Sequence, residues 1–344
     1  MKRFSIAAWL CLAAMSSAIA QQKIELKVAE PVGPQHFMTQ WLMQWTDRLE
    51  KASEGRLVFK HFPGSQLGPA ATHYDLARNG QADIAWFFHA GTPGRFPLTE
   101  LLHLPFVVGS AEIGTKVIND AGLRSRHLDS EHKGVRILLL FTHPPGNALT
   151  TKRPIRSLDD FKGLRIRQAS PNTRDFILKV GGTPVGVPPT DQLDQLQKGT
   201  LDGTFIDYGS GGVAFKLGGA IGHMTEMYAY VSSFGLAMNL DTYSKLPADL
   251  QRLLNESVKG VEKEVGEGFD KLDDVGKKLL VAGGGQPITL SASEIARFRK
   301  AGDEVIDARL KELDGKGLPA RAAFDMIRAL SEKHSKDSRN FWQQ

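Results

Sequence analysis

Two stretches of the chain share one order of predicted elements, and this repeat constrains the fold more than any other feature. The order strand, helix, strand, helix, strand occupies residues 24–88 and recurs over 164–206. The two units also end alike, with LARNGQADIAWF from Leu76 and LQKGTLDGTFI from Leu196. A βαβαβ order predicts a sheet with parallel strands covered by helices. Two such units predict an α/β protein with two similar lobes.

Two strongly apolar runs flank the second unit. Residues 135–141 predict a buried strand, which the polar and proline-rich segment 143–147 interrupts. Residues 234–240 are again apolar and strand-like. Each run ends one lobe and begins the other, so we expect the chain to cross twice between the lobes and to form a hinge about a cleft.

The last third of the chain has helical patterns. One of them, begun by Pro247 and ended by the glycine run 283–285, predicts a single long helix that bridges the lobes. Ser293 is the predicted cap of the next helix. The predicted boundaries are 1–20 for a signal peptide, 21–147 plus 235–260 for the first lobe, 148–234 plus 285–291 for the second lobe, 247–280 for the bridging helix and 292–344 for helices that pack on the lobes.

The N-terminus has the pattern of a secretory signal peptide. Lys2 and Arg3 precede an apolar run over 4–14, and small residues precede the cleavage expected after Ala20. The apolar run is too short to span a bilayer. Cys11 is the only cysteine and lies inside this segment. The mature chain is therefore expected to be periplasmic and to have no disulfides, cysteine nucleophiles or cysteine metal ligands.

The charge of the chain disfavours nucleic acid as a partner. The formal net charge is 43 − 38 = +5, and it falls to 41 − 38 = +3 once Lys2 and Arg3 are removed. The positive charges are dispersed, without a basic block or a basic and aromatic stripe. We therefore expect no nucleic acid and favour small anionic ligands.

Arg167 is the strongest candidate for an anion contact. It ends the short alternating strand that begins at Leu164, and ligands of open α/β sheets bind at the carboxyl ends of strands. A guanidinium offers a planar fork of donors that fits a carboxylate. The alternative is an arginine that pairs with a neighbouring acid or lies in water.

Motifs of the common enzyme classes are absent from the sequence. It has no GxSxG, no HExxH and no glycine-rich phosphate loop. His103, His132 and His223 are scattered along the chain, which leaves a metal site unsupported. We therefore expect no catalytic residues, no cofactor and no metal.

Several short motifs carry a resemblance to a known family. They are PGSQLG at 63–68, GQADIA at 80–85, LPF at 104–106, KRPIRSLDDFKGLRIR at 152–167 and LQKGTLDG at 196–203. In this order and spacing they resemble the DctP-type extracytoplasmic solute-binding proteins of TRAP (tripartite ATP-independent periplasmic) transporters, over essentially the whole mature chain. The resemblance implies a two-lobed periplasmic binding protein fold. It also implies a monomeric receptor that closes around an organic anion and delivers it to the small and large membrane subunits of a permease.

The resemblance also suggests site residues. In that family the second arginine of the KGLRIR-type stretch binds the ligand carboxylate, and here it is Arg167. Relative to the sialic-acid-binding members, Asn147 replaces a second ligand arginine, Ile206 an asparagine and Phe88 a glutamate, while Phe87 replaces a small residue. The expected pocket thus keeps one strong anion contact and loses several polar ones.

A sugar acid in such a pocket would leave hydroxyl groups unpaired, at roughly 1–3 kcal/mol each. We therefore favour a monocarboxylate with an apolar or aromatic body, although Phe87 and Phe88 fit the core of the domain equally well. His89, Asn147 and Tyr208 are expected to bond a hydroxyl or keto group. The predicted ligand-binding residues are Arg167, Asn147, Phe87, Phe88, His89, Ile206, Tyr208 and Phe234. The alternatives are a receptor of the same family for C4-dicarboxylates or sugar acids, and a ligand-sensing receptor for a membrane sensor kinase.

Overall fold

The computed structural model describes residues 23–343, which form two β-sheets. The predicted signal peptide and its cleavage after Ala20 lie outside the described residues. The strands are β1 Ile24–Ala29, β2 Leu57–Phe62, β3 Ile84–Phe88, β4 Val135–Thr142, β5 Gly146–Thr150, β6 Arg165–Arg167, β7 Thr183–Val185, β8 Gly203–Ile206, β9 His223–Tyr230, β10 Ser233–Asn239 and β11 Gln286–Thr289.

The strand order gives each lobe its own sheet. The first sheet has the order β2-β1-β3-β10-β4, with β1 parallel to β2 and β3 and with β10 antiparallel to β3 and β4. The second has the order β11-β9-β5-β8-β6-β7, with β6 parallel to β7 and β8 and with β5 antiparallel to β8 and β9. The chain crosses between the sheets at 143–145 and returns at 231–232. The predicted two-lobed α/β architecture is therefore confirmed.

Helices cover both sheets. Within residues 23–343 they are α1 Phe37–Ala52, α2 His73–Arg78, α3 Ala111–Asn119, α4 Ala121–Leu123, α5 Pro171–Lys179, α6 Gln192–Gln197, α7 Leu240–Lys245, α8 Ala248–Ser257, α9 Val261–Ala282, α10 Ala292–Gly315 and α11 Ala320–His334. Near the C-terminus, α10 packs on α5 and α11 packs on α3. In the part of the chain that is described, none of the helices combines the length and the apolar character that a membrane crossing requires.

The single helix predicted over 247–280 is wrong, because the chain forms α8 and α9 there. They are separated at Gly260, whose φ of +72° lies in the left-handed region and breaks the helical hydrogen-bond pattern. α9 alone spans the two lobes. Asp270 on α9 accepts the first two main-chain N–H groups of α3, at 2.8 and 3.0 Å, and Asp273 accepts that of Gly209 in the second lobe at 2.8 Å.

Local sequence fixes how the chain leaves β6. The hydroxyl of Ser170 accepts the N–H of Thr173 at 3.2 Å, and the hydroxyl of Thr173 accepts the N–H of Ser170 at 2.7 Å. Pro171 takes the first helical position, where a missing N–H costs nothing. The carboxyl end of β6 is thus followed at once by the start of α5.

Other local predictions differ from the structure in detail. Ser291, and not Ser293, caps α10 by accepting the N–H of Glu294 at 3.3 Å. Asn147 lies in β5 of the second sheet and Phe234 in β10 of the first, so each is just across its predicted lobe boundary. The pattern of the sequence does not predict β9, because its buried positions do not alternate.

Candidate functional site

A cavity of about 380 Å³ lies between the lobes. The first sheet and the helices that cover it contribute most of its aromatic side chains, and the second sheet contributes an arginine and a carboxylate. The residues that line it include Val32, His36, Trp86, Phe88, His143, Arg167, Ser170, Ile206, Asp207, Tyr230, Ser232, Ser233, Phe234 and Phe269. The cleft expected between the lobes is therefore present as a cavity lined by both of them.

Arg167 ends β6, and only 8% of the residue is exposed. Its Nε donates to the carbonyl of Val187 at 3.3 Å and its Nη1 donates to that of Phe205 at 3.5 Å. Among residues 23–343 no carboxylate lies within the 4.0 Å of an ion pair. Burial lowers the pKa of Arg167, and Tyr230 and Asp207 oppose that shift. Because a guanidinium carries five N–H donors, Arg167 retains donors for an anion in the cavity.

Arg165, on the same strand, has a different role. Its Nε and Nη2 donate to the two carboxylate oxygens of Asp202, each at 2.9 Å, in an exposed position. Asp202 also accepts the main-chain N–H of Arg165 at 2.9 Å. Of the two arginines of β6, only Arg167 reaches the cavity.

The first lobe supplies an aromatic wall formed by Trp86, Phe88 and Phe234. Phe234 pairs directly with Phe88 across β10 and β3, and their ring centres are 5.1 Å apart at a steep angle. The ring of Trp86 lies 6.0 Å from that of Phe88. Phe141 stacks behind Phe234 at 5.3 Å. Such edge-to-face and stacked contacts hold the rings in place, so the wall is preformed for a flat apolar group.

Polar groups complete the cavity. Asp207 follows β8, and its Oδ1 accepts the N–H of Ser210 at 2.7 Å. The hydroxyl of Tyr230 donates to the carbonyl of Phe205 at 2.8 Å, and burial raises the pKa of Tyr230. Burial lowers the pKa of His36 to about 4, so that its ring is uncharged at neutral pH. Within residues 23–343, no group of three or more His, Cys, Asp or Glu side chains is arranged to hold a metal ion.

The structure divides the eight predicted ligand-binding residues into two sets. Those that line the cavity are Arg167, Phe88, Ile206 and Phe234. Those that do not are Asn147, Phe87, His89 and Tyr208. For the first set, contact with a ligand stays a prediction.

Asn147 and Tyr208 are used by the fold. Asn147 is fully buried, and its Oδ1 accepts the N–H groups of Met227 and Tyr228, both at 2.8 Å, where β5 and β9 pair irregularly. The hydroxyl of Tyr208 donates to Glu226 at 3.4 Å, and the residue is 1% exposed. Neither residue is among those that line the cavity, although Nδ2 of Asn147 has no hydrogen-bond partner among residues 23–343.

Phe87 lies on the opposite face of β3 from Phe88. Its ring is 5.0 Å from that of Tyr74 and belongs to the core on the far side of the sheet. Since side chains alternate along a strand, the neighbours of Phe87 on both sides, Trp86 and Phe88, reach the cavity instead. Of the two predicted roles of this pair, Phe88 lines the cavity, whereas Phe87 belongs to the core of the domain.

His89 belongs to a buried chain of histidines behind the cavity wall. Its Nε2 lies 2.9 Å from Nε2 of His132, and its Nδ1 lies 2.9 Å from the hydroxyl of Ser233. That hydroxyl also lies 2.7 Å from Nε2 of His103. His103 and His132 are therefore not scattered in space, as their spacing in the sequence suggested. Burial lowers the pKa of His132 to about 4 and that of His103 to about 3, which favours uncharged rings.

Sequence reasoning missed Trp86, His143, Asp207 and Tyr230. Two signals were available: Trp86 and Phe88 share a face of β3, and Asp207 directly follows the end of β8, where ligands of α/β sheets bind. Nothing local marks His143 or Tyr230, which reach the cavity only because the crossovers lie beside it.

Solved structures with the same fold bind organic acids. A TRAP solute-binding protein from Rhodoferax ferrireducens T118, in complex with copurified benzoate, is 28% identical; the match has a TM-score of 0.85 and covers 91% of this chain and 99% of the other. One from Bordetella bronchiseptica with bound (R)- and (S)-mandelate is 30% identical, with a TM-score of 0.81 and coverage of 90% and 99%. A marine metagenome protein specific for aromatic acid ligands, in complex with metahydroxyphenylacetate, is 25% identical, with a TM-score of 0.86 and coverage of 90% and 99%.

TRAP solute-binding proteins are periplasmic receptors, not enzymes; they bind small organic anions and work with membrane permease components. The sequence profile of one such family, DctP, described as bacterial extracellular solute-binding protein family 7, matches residues 28–312. The two-sheet architecture and the cavity between the lobes agree with that match. The chain therefore belongs to the DctP family of bacterial extracellular solute-binding proteins.

Proposed function

We propose that this protein is the periplasmic receptor for a monocarboxylate with an aromatic body and that it delivers this ligand to a TRAP permease. One observation carries the proposal: a buried arginine with unused donors lies in the same cavity as a preformed aromatic wall. The arginine comes from the second lobe and the wall from the first. A ligand that contacts both would hold the lobes together.

In this proposal Arg167 binds the carboxylate. Its two existing contacts, to the carbonyls of Val187 and Phe205, are long and leave the outer nitrogens of the guanidinium for a bidentate pair. Arg167 itself is buried, and low dielectric around a buried group strengthens such a pair. An anion would also compensate the buried charge of Arg167, which has no carboxylate partner within residues 23–343.

The body of the ligand would lie against Trp86, Phe88 and Phe234. Aromatic rings attract one another through edge-to-face and offset contacts, worth about 0.5–1.5 kcal/mol per pair beyond the burial of area. A cavity of about 380 Å³ is large enough for a single substituted benzene ring with a carboxylate. The benzoate and mandelate bound to the structural relatives are acids of this size and kind.

The charges in the cavity disfavour a C4-dicarboxylate. Arg167 is the sole arginine or lysine among the described residues that line the cavity. His36 is uncharged at neutral pH because burial lowers its pKa to about 4. A second carboxylate would therefore be buried without a cation, which is costly. A sugar acid would bring several hydroxyl groups to a wall of aromatic rings and leave most of them unpaired.

We further infer that the protein releases the bound acid in the same chemical form in which it bound it. Among residues 23–343, those that line the cavity include no cysteine or lysine, and no serine hydroxyl there bonds a histidine whose other ring nitrogen contacts an acid. Incubating the acid that binds most tightly with excess protein should return that acid intact. Its conversion in proportion to the amount of protein would contradict a pure receptor.

A ligand screen tests the proposal directly. The mature protein is heated with benzoate, mandelate and hydroxyphenylacetate, with succinate and malate as dicarboxylates, and with glucuronate and sialate as sugar acids. A ligand present at about 100 times its Kd stabilises the folded form by about 2.7 kcal/mol and raises the unfolding temperature. We expect the shift with the aromatic monocarboxylates. A shift confined to dicarboxylates or sugar acids would reject the proposed ligand class.

A further inference from the structure

Asp207 has an oxygen that the fold does not use. The side chain of Asp207 lines the cavity with Arg167 and is only 2% exposed. Its Oδ1 accepts the N–H of Ser210 at 2.7 Å. Its Oδ2 lies 3.6 Å from Nδ1 of His143, beyond hydrogen-bond distance, and accepts no hydrogen bond from any residue of 23–343. A carboxylate oxygen that faces the cavity becomes costly when a ligand displaces the water there, unless the ligand donates to it.

His143 does not supply that donor, because both of its ring nitrogens are engaged. Nε2 accepts the main-chain N–H of Ser232 at 3.0 Å, so it carries no hydrogen. The single ring hydrogen is then on Nδ1, which donates to the carbonyl of Pro144 at 2.5 Å. The ring N–H of His143 is thus directed to the backbone and not to Asp207.

Tyr230 is committed in the same way. Its hydroxyl donates to the carbonyl of Phe205 at 2.8 Å, so its hydrogen is not available to Asp207. Arg167 lies in the same cavity but outside the 4.0 Å of an ion pair with Asp207. None of these three side chains therefore donates to the free oxygen of Asp207.

An acid bound to Arg167 makes this arrangement selective. A simple carboxylate adds a second negative charge to a buried cavity, and like charges at close range in a medium of low dielectric repel. A ligand that also carries a neutral hydrogen-bond donor can donate to the free oxygen of Asp207. This hydrogen bond partly offsets the repulsion between the two carboxylates. The cavity thus favours acids with such a donor over acids without one.

We propose that Asp207 selects aromatic acids that carry a hydroxyl group, by accepting the hydroxyl hydrogen while Arg167 holds the carboxylate. This inference rests on the proposed function and names its ligand more narrowly. A hydroxyl fits better than an ammonium group, since Asp207 offers one free oxygen and an ammonium requires acceptors for three hydrogens. An ammonium is also more strongly hydrated, so its burial costs more.

Calorimetric titration with two pairs of acids tests this inference. Mandelate differs from phenylacetate by one hydroxyl, and 3-hydroxybenzoate differs from benzoate in the same way. Because hydrogen bonds to charged groups are the strong ones, we expect the hydroxylated member of at least one pair to bind about tenfold more tightly. Phenylglycine, with an ammonium in place of the mandelate hydroxyl, should bind more weakly than mandelate.

Asp207→Asn separates selection from a structural role. The variant keeps an oxygen for the N–H of Ser210 but loses the charge and the free acceptor. The hydroxylated acid should bind about tenfold more weakly to this variant, while its unsubstituted partner binds as well as before or better, because the repelling charge is gone. A role in folding alone would weaken both acids together.

Asp160→Asn is the matched control. Asp160 also accepts main-chain N–H groups, those of Arg156 and Ser157 at 2.9 and 2.8 Å, but it does not line the cavity. We expect it to move both affinities in the same direction and to leave their ratio unchanged. Equal binding of both acids of each pair to the wild type, an unchanged ratio in Asp207→Asn, or tighter binding of phenylglycine would overturn the inference. If none of these acids binds, the proposed function itself fails.

Discussion

Asn172 on α5 donates a hydrogen bond from its Nδ2 to the main-chain carbonyl of Glu100, at a distance of 2.7 Å. Both residues are 1% exposed. Asn172 belongs to the helix that starts beside the cavity, whereas Glu100 lies in the short helix Thr99–His103, between β3 and β4 of the first sheet. Neither carboxylate oxygen of Glu100 has a hydrogen-bond partner among residues 23–343. The seam between the lobes therefore contains a buried, unpaired acid.

Glu100 should make the stability of the protein depend on pH. Burial raises its pKa from 4.5 to about 8; the charge of Arg309 opposes this shift, and that of Glu131 adds to it to a smaller extent. The folded protein thus keeps a proton that the unfolded chain has lost, and the resulting stability is full below about pH 4.5 and falls as the pH rises towards about 8. Glu100→Gln cannot ionise and should be more stable than wild type by roughly 2–4 kcal/mol at about pH 8, with little difference at about pH 5.

Denaturant unfolding at a series of pH values measures this difference. The exposed Glu25 on β1 provides the control, since Glu25→Gln should unfold like wild type throughout the range. A Glu100→Gln protein whose stability follows that of wild type at every pH would show that Glu100 is ionised in the folded state.

Arg167 is expected to dominate ligand affinity. Removing one partner of a buried charge pair costs about 3–5 kcal/mol, so Arg167→Ala should weaken binding of the aromatic acid about a hundredfold or more. Arg167→Lys should recover only part of this loss, because an ammonium cannot reproduce the planar fork. Without ligand both variants should stay folded, as Arg167 makes only two long hydrogen bonds to the backbone.

Arg165→Ala is the control for this series, because Arg165 pairs with Asp202 at the surface and does not line the cavity. Calorimetric titration of the four proteins decides the assignment. Wild-type affinity in Arg167→Lys would exclude the bidentate contact. Wild-type affinity in Arg167→Ala would assign the carboxylate to another group.

Phe87 and Phe88 form a matched pair on adjacent positions of one strand. Phe88→Ala removes part of the aromatic wall and should weaken the aromatic acid about tenfold, with a modest loss of stability. Phe87→Ala opens a cavity in the core beside Tyr74 and should cost about 3–5 kcal/mol of stability, while the folded protein binds as wild type does. Calorimetric titration measures the affinity of both variants and denaturant unfolding measures their stability. We expect the larger loss of affinity in Phe88→Ala and the larger loss of stability in Phe87→Ala. The reverse pattern would show that β3 presents the other face to the ligand.

Gly276 lets α9 lie directly against the second lobe. A Cβ at this position would be 2.0 Å from the carbonyl oxygen of Tyr208 and 2.7 Å from Cα of Gly209, and both atoms belong to the backbone. Gly276→Ala should therefore lower the free energy of unfolding by about 1–3 kcal/mol or more, because the helix has to move. Gly219→Ala is the control, because no heavy atom lies within 4 Å of its new Cβ. It should change the free energy of unfolding by less than about 0.5 kcal/mol. Equal stability of the two variants in denaturant would disprove this close packing.

Local sequence patterns predict many of the strands and helices of the fold. Alternation and β-branched or aromatic residues predict β1 and β2 with the bounds that the structure has, and Ser170 with Pro171 marks the start of α5. The break between α8 and α9 was missed because the apolar spacing continues past it. Only the left-handed conformation of Gly260, with φ of +72°, ends the pattern there.

The candidate site was predicted only in part. Sequence alone placed Arg167 at the carboxyl end of a strand, and that position is enough to bring it to the cleft of an α/β protein. It did not exclude Asn147, whose amide oxygen is used by two N–H groups of a strand 80 residues away in the chain. It also did not find Asp207, whose free oxygen matters only because His143 and Tyr230 donate elsewhere.

The sequence by itself thus determined the elements, their order and the arginine at the end of β6, because those follow from short-range spacing and propensity. The tertiary structure alone decided which face of β3 meets the cavity and which polar groups remain unpaired there. The physical reason is that a hydrogen bond or a ring contact depends on the partner that packing brings within a few ångströms. For Phe88 and Asn147 that partner comes from a distant part of the chain.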